Sequence, residues 1–296
     1  MREYKYNIFI MRNGAFFIAL LLIVCAISFS STGCSERKAI SKDTLISADS
    51  CHLKDTLVAD TMDNIISETP MPKAADELFD DFFFNFAANK KLQFKRIKFP
   101  LRVIRNDSIE FISASKWETE HFFMHQDYYT LIFDNYKQMK LAKKTTIDHV
   151  VVEKLYLNKH SFKQYVFDRI NGQWIMTAIK YNSIVKNRNA SFLNFYTRFT
   201  TDSEFQVASI NDPLDFSCPN PDDEFSNMDG FLAPEQWLSF APELPSDVIY
   251  NILYDETERV EGNQKILVIR GISNGQEMEL TFRIKESGWK LVKLIM

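Results

Sequence analysis

The chain has 296 residues, of which 46% are hydrophobic and 25% are charged, and its formal net charge is −4. This composition is typical of a globular protein and excludes a disordered, collagen-like or polytopic membrane chain. No two of the four cysteines have a C-x₂₋₄-C spacing, which excludes a thiolate zinc site. None of the eight glycines forms G-x-G, which excludes the common phosphate-binding loops. We therefore expect no cofactor.

The first 33 residues have the pattern of a bacterial export signal. Basic residues precede an apolar run at 15–27, which is too short to span a bilayer because a spanning helix needs about 20 residues. The run is followed by Ser31-Thr32-Gly33-Cys34, which resembles the lipobox of bacterial lipoproteins. The resemblance implies a signal peptide at 1–33, lipid attachment at Cys34 and anchoring in the cell envelope, at the outer membrane on either face. The alternative is an uncleaved N-terminal anchor.

Residues 34–73 predict a flexible polar tether, because neither a helix nor a strand periodicity is sustained in them. A coil of this length spans on the order of 35 Å. Removal of residues 1–33 takes away three Lys/Arg and one Glu and leaves a net charge of −6. An acidic balance argues against nucleic acid or an anionic membrane surface as a partner, so we expect the lipid anchor to make the membrane contact.

The remainder of the chain contains an internal repeat. Residues 78–101 match residues 191–214 without a gap at an offset of 113. The identities are Phe79/Phe192, Phe82/Phe195, Phe86/Phe199, Gln93/Gln206, Ile97/Ile210, Pro100/Pro213 and Leu101/Leu214. In both copies aromatic residues recur at i, i+3, i+4 and i+7, which predicts a helix with one face buried in a core.

The two copies also match at their ends. Residues 166–180 align with residues 281–295, and in both a turn precedes a tryptophan, Trp174 or Trp289, which favours a hairpin. Between the matched ends, Trp117 corresponds to Trp237, and residues 129–134 to residues 250–255, at an offset of about 121. The changes in offset require insertions, one of which we assign to an acidic, proline-containing loop at 211–229.

Each copy is thus predicted to be an α+β unit, with an N-terminal aromatic helix packed on a curved antiparallel sheet. We assign a first cone domain to residues 74–184 and a second to residues 187–296. This order resembles the cone-shaped fold of the nuclear transport factor 2-like superfamily, and the tandem arrangement resembles an uncharacterised family of Bacteroidetes lipoproteins. The superfamily contains isomerases, dehydratases, ligand binders and dimerisation modules, so the resemblance implies the fold and no particular activity.

One polar cluster has a spacing that suits a metal ion. If residues 117–127 are helical, Glu118, His121 and His125 lie on one face. An H-x₃-H spacing without a neighbouring glutamate base is a weak signal, and solvated histidines are the more common explanation. We therefore expect no metal site here.

The resemblance also implies where catalysis would occur, since enzymes of the superfamily use an aspartate or a His–Asp pair inside the cone. The candidates in this chain are Asp127, Asp134, His149 and His160. The second copy has no histidine, so what the two copies share is aromatic packing. This favours a non-catalytic module that binds a small apolar or glycan-derived ligand in one cone, or an envelope protein on the outer sheet face. The alternative is an isomerase, dehydratase or hydrolase active in the first cavity.

Overall fold

The computed structural model describes residues 72–106, 108–254 and 262–296. The predicted signal peptide, Cys34 and nearly all of the predicted tether lie outside these ranges. Among the residues that are described, none of the helices has the length and apolar character needed to cross a membrane.

The first repeat contains three α-helices and six strands. The helices are α1 (Phe79–Ala88), α2 (Lys90–Lys95) and α3 (Tyr136–Met139). The strands are β1 (Ile97–Arg105), β2 (Ser108–Ile112), β3 (Tyr128–Phe133), β4 (His149–Tyr156), β5 (Ser161–Ile170) and β6 (Gln173–Ser183). Short 3₁₀ turns lie at Lys73–Asp76, Ala114–Lys116, Lys140–Lys143 and Ile184–Lys186.

The second repeat has the same order of elements at its start and in its sheet. Its helices are α4 (Ala190–Thr201), α5 (Ser203–Ala208) and α6 (Trp237–Phe240), with a 3₁₀ turn at Pro234–Gln236. Its strands are β7 (Ile210–Asn220), β8 (Asp223–Leu232), β9 (Val248–Tyr254), β10 (Gln264–Gly271), β11 (Glu277–Lys285) and β12 (Gly288–Ile295).

Local sequence explains the helix pair that begins each repeat. The aromatic stripe of α1 is buried, as its spacing predicts. The break before the second helix is set by a capping side chain: Asn89 accepts a hydrogen bond from the N–H of Leu92, and Asp202 accepts one from the N–H of Phe205. The two caps are 113 residues apart, so this helix boundary is part of the repeat.

The strands form two six-stranded mixed sheets with the orders β2-β1-β6-β5-β4-β9 and β8-β7-β12-β11-β10-β3. The predicted α+β class is confirmed, but the sheets are not wholly antiparallel, because β1 pairs parallel with β6, and β7 with β12. Parallel neighbours cannot be joined by a tight turn and need a long connection. The two strands of each parallel pair meet this condition, because they are connected through the rest of their repeat. The register shift in β5 after Val166 recurs in β11 after Thr281.

The last strand of each sheet comes from the other repeat. Strand β9 pairs with β4, and strand β3 pairs with β10. Tyr250 lies opposite Lys154, and Thr130 lies opposite Ile269, so the strand register sets the offset between β3 and β9 at 120, one less than the sequence match. The boundary between residues 184 and 187 separates the repeats along the chain, while each sheet contains strands of both.

Both aromatic cores are shared in the same way. The first core surrounds α1 and includes Tyr250 and Ile266 from the second repeat. The second core surrounds α4 and includes Leu155 and Phe162 from the first repeat. Since each core buries side chains of both repeats, the hydrophobic stabilisation of one repeat depends on the presence of the other.

The prediction of a surface loop at 211–229 was wrong, because this segment forms the hairpin of β7 and β8. The hairpin ends its sheet, and few of its side chains are buried, among them Leu214 and Leu232. A strand with little buried surface lacks the strong apolar alternation that identifies a half-buried strand in a sequence.

Candidate functional site

A cavity of about 630 Å³ opens at one end of the first cone. It lies between the core-bearing face of the first sheet and the segment that follows β2. We call it the first mouth. Its defining residues are Trp117, Glu120, Lys154, Lys163, Tyr181 and Tyr250.

Two lysines and one glutamate meet in the first mouth. The Nζ atom of Lys154 lies 3.0 Å from Oε1 of Glu120, and that of Lys163 lies 2.7 Å from Oε2. The three side chains are only 12–19% exposed. One carboxylate therefore faces two ammonium groups that are largely removed from water, and the excess positive charge favours an anionic ligand.

The glutamate is held in place by a buried amide. The Nε2 atom of Gln93 donates to the carbonyl oxygen of Glu120 at 2.7 Å, and its Oε1 atom accepts from the N–H of Glu120 at 3.1 Å. Gln93 is fully buried, so it fixes the main chain from which the carboxylate extends. Its counterpart Gln206 donates to the carbonyl of Phe199 instead, within the second repeat.

These contacts set the ionisation of the cluster. Burial by itself would raise the pKa of Glu120, but the charge and hydrogen bond of Lys163, with the charge of Lys154, lower it to about 2. Burial would lower the pKa of Lys154, and the neighbouring Tyr250 and Glu120 raise it above its usual range. Burial raises the pKa of Tyr250. Glu120 and Lys154 therefore stay charged around neutral pH.

Aromatic rings and free polar atoms complete the first mouth. The Nζ atom of Lys163 lies 5.6 Å from the centre of the Tyr181 ring, and Arg105 lies 3.6 Å above the same ring. The Nε1 atom of Trp117 and the Oγ1 atom of Thr119 are buried and have no hydrogen-bond partner within the described part of the chain. Buried donors of this kind are normally satisfied, so a ligand or water fits here.

The second cone lacks this polar cluster. By the offset of 115, Lys154 and Lys163 correspond to Ile269 and Met278, which are cross-strand neighbours as the lysines are. At the offset of 120, Glu120 corresponds to Phe240. The repeats have thus kept one fold, and the three charged side chains of this cluster, Glu120, Lys154 and Lys163, all come from the first repeat.

Sequence reasoning missed Glu120, Lys154 and Lys163. A signal was present in β4, where Val150 and Val152 face the aromatic core and Lys154 follows on the same side. A charged residue that continues a buried stripe indicates an internal ion pair or a site.

The metal hypothesis placed Glu118, His121 and His125 on one helix face. The segment instead forms turns, because Phe122 has a φ of +48°, which interrupts a right-handed helix. The two histidine rings lie 4.4 Å apart, and all three side chains are exposed at the rim of the first mouth. Over residues 72–106, 108–254 and 262–296, no three His, Cys, Asp or Glu side chains are close enough to hold a metal ion.

Asp134 lines a different cavity, of about 740 Å³, between the two repeats. Its carboxylate pairs with Lys265 and lies 2.8 Å from Arg188. In the same cavity the buried carboxylate of Glu153 accepts hydrogen bonds from Asn251 and other amides. Because these groups satisfy one another, this network is a structural link between the repeats.

His149 forms the His–Asp pair of the described chain, with 2.7 Å between its Nδ1 atom and Oδ1 of Asp168. Oδ2 of Asp168 accepts a hydrogen bond from Thr177 at 2.6 Å. Strand alternation places the pair on the face opposite to Val150 and Phe167, which belong to the first core. Both side chains are more than a third exposed, so the pair lies outside the cone.

The other two catalytic candidates are exposed. Asp127 lies at the entry to β3, and His160 lies in the turn between β4 and β5 with a φ of +47°. Neither lines the first mouth.

The chain is similar in sequence and fold to known proteins. Residues 58–296 match the family described as "Domain of unknown function (DUF4348)". An NTF2-like protein from Bacteroides fragilis, known from a crystal structure, is 40% identical to this chain in sequence. The match covers 76% of this chain and 98% of that chain, and the TM-score of the two structures is 0.70. No curated protein has significant similarity to the chain. The predicted nuclear transport factor 2-like fold is confirmed.

Proposed function

We propose, for a chain that belongs to the DUF4348 family of NTF2-like proteins, that its first cone binds a small anionic ligand and does not catalyse a reaction. The observation that carries the proposal is the pairing of one carboxylate, Glu120, with two ammonium groups, Lys154 and Lys163, in a cavity. The second cone has the same fold without these charges, so the fold itself does not require them.

The surroundings indicate the chemistry of the ligand. A carboxylate on the ligand can accept hydrogen bonds from the two lysines. The rings of Trp117, Tyr181 and Tyr250 offer flat apolar surface on which a ring of the ligand can pack. The volume of about 630 Å³ is in the range of small-molecule sites. An acidic sugar derived from a glycan combines these properties.

The ionisation of the first mouth supports binding over catalysis. General acid–base catalysis works best when the pKa of the group lies near the working pH. Glu120 has a pKa of about 2, so it is a weak base and is not protonated at neutral pH. The alternative, an isomerase, dehydratase or hydrolase in the first cavity, would need an acid or histidine that titrates inside the cavity. The His149–Asp168 pair lies on the outer face, and the two histidines of the first mouth, His121 and His125, are exposed at its rim.

Calorimetry with D-galacturonate and D-galactose tests this proposal, because the two sugars differ in the carboxylate. We expect galacturonate to bind and galactose to bind at least about tenfold more weakly. Lys163→Met, which introduces the residue of the second repeat, should reduce galacturonate affinity by about tenfold or more. Lys285→Met, at an exposed position, is the matched control. Equal binding of both sugars, or turnover of either, would contradict the proposal.

We also propose that Cys34 is acylated and holds the protein in the cell envelope, at the outer membrane. The support is the sequence: a basic start, a short apolar run and Ser31-Thr32-Gly33-Cys34. Labelled palmitate should enter the wild type and not a Cys34→Ser variant. Equal labelling of both would show that the cysteine is not the attachment site.

A further inference from the structure

Each sheet ends in a hairpin whose outer face exposes a phenylalanine. Phe111 in β2 is 64% exposed, and Phe231 in β8 is 72% exposed. Phe111 lies opposite Arg102, and Phe231 lies opposite Asp215. Arg102 and Asp215 are themselves 113 residues apart, the offset of the repeat. The two repeats therefore present the same exposed ring beside charges of opposite sign.

The overall charge balance of the two hairpins differs in the same direction. Residues 97–112, which we call the basic hairpin, contain three Lys/Arg and two Asp/Glu. Residues 210–232, the acidic hairpin, contain six Asp/Glu and no Lys/Arg. The two hairpins lie at the ends of different sheets. Each thus presents a separate charged face to solvent.

These faces are open in the described structure. Arg102 and Asp215 are exposed, and neither forms an ion pair with another described residue. Ile109, also on the outer face of the basic hairpin, is 50% exposed. Exposed aromatic and aliphatic side chains beside an arginine have the composition of protein interfaces.

We propose that the outer face of the basic hairpin binds the outer face of the acidic hairpin of a second copy of this chain. Stacked sheets lie about 10 Å apart, a distance that phenylalanine side chains fill and that an arginine and an aspartate bridge. Phe111 then packs on Phe231 of the second copy, with Arg102 facing Asp215. The occupant is a second copy because the complementary charges occur on matched elements of one sequence.

The contact is head-to-tail, since its two faces are different. After one contact each copy retains one unused face, which is acidic on one copy and basic on the other, so copies join in rows or close into rings. Opposite charges that are exposed are screened by salt, so the association weakens as the ionic strength rises.

Sedimentation of the full chain with Arg102→Asp and Asp215→Arg variants tests the proposal. Arg102→Asp brings two carboxylates together at this contact and Asp215→Arg brings two guanidinium groups together, so each variant alone should associate at least about tenfold more weakly than the wild type at low salt. An equimolar mixture of the two variants should associate again, because Arg102 of one then meets Asp215 of the other. Both positions are exposed, so thermal unfolding should be unchanged and serves as the folding control.

The mixture separates this contact from general effects of charge. Restored association in the mixture, and its loss at high salt, would support the proposal. A wild type that remains monomeric throughout a concentration series would overturn it, as would single variants that associate like the wild type or a mixture that does not associate. Association that survives in both variants would point to a different surface or partner.

Discussion

Thr130 in β3 and Tyr250 in β9 occupy corresponding positions in the two strands that join the sheet of the other repeat. The side chain of Thr130 forms hydrogen bonds with the main chain of Tyr250. The hydroxyl of Thr130 donates to the carbonyl oxygen of Tyr250 at 2.6 Å and accepts from its N–H at 2.7 Å. Both residues are buried. A single side chain therefore satisfies two main-chain groups at the place where the two sheets meet.

Thr130→Val should destabilise the protein by about 2–4 kcal/mol, because it leaves two buried main-chain groups without partners and keeps the side-chain shape. Chemical unfolding measures the change. Thr201→Val is the matched control, since the hydroxyl of Thr201 is exposed and bonds within α4, and its effect should stay within about 0.5 kcal/mol. Equal effects of the two variants would mean that the hydrogen bonds between Thr130 and Tyr250 contribute little to the stability of the protein.

The shared cores predict that the repeats unfold together. A chain that ends at residue 184 lacks Tyr250, Ile252 and Ile266, which complete the first core. It should therefore show no cooperative transition, whereas the full chain should show one transition by fluorescence and by circular dichroism. Two separate transitions in the full chain would indicate independent repeats.

The matched phenylalanines of the two helices should differ in their contribution to stability. Phe82 is fully buried and Phe195 is only partly buried. Phe82→Ala should cost about 3–5 kcal/mol, the usual range for a large core ring. Phe195→Ala should cost less, roughly 2 kcal/mol. Chemical unfolding of both variants checks the order, and a larger effect at Phe195 would contradict the observed packing.

Glu120→Gln should change how stability depends on pH. The pKa of Glu120 is about 2 in the folded protein and lies near 4.5 in the unfolded chain, so its stabilisation is full above pH 4.5 and is lost as the pH falls towards 2. At pH 7 the variant should be less stable by up to about 3 kcal/mol. This gap should shrink between pH 4.5 and 2.

Unfolding free energies at pH 7, 4 and 3 measure this gap. Glu110→Gln, at an exposed position on β2, provides the comparison and should lie close to the wild type at each pH. A gap for Glu120→Gln that does not change with pH would show that its ion pairs contribute little.

Asp134 should prove structural. Asp134→Asn leaves the ammonium of Lys265 buried without its carboxylate, which should cost about 3 kcal/mol or more. The double variant Asp134→Asn/Lys265→Met should recover part of this loss, because both charges are then removed. Galacturonate binding by the folded double variant should match the wild type, and a loss of binding would assign Asp134 to the site.

Local patterns in the sequence determined the class of the fold. The aromatic spacing of α1 and α4, the paired tryptophans and the hairpin turns each depend on residues that are close in the chain, so they are readable without coordinates. The internal repeat then extended each local inference to its second copy. The composition excluded nucleotide-binding loops and thiolate zinc sites on the same basis.

Tertiary structure alone decided the site and the exchange of strands. Glu120 is 34 residues from Lys154 and 43 from Lys163, and their meeting depends on how β4 and β5 pair beneath a distant segment. The sequence match related β3 to β9 but did not indicate the sheet that each one joins. In the structure each of these strands pairs with the sheet of the other repeat. Contacts between residues about 120 positions apart leave no periodicity in either segment, so the sequence could not indicate this pairing.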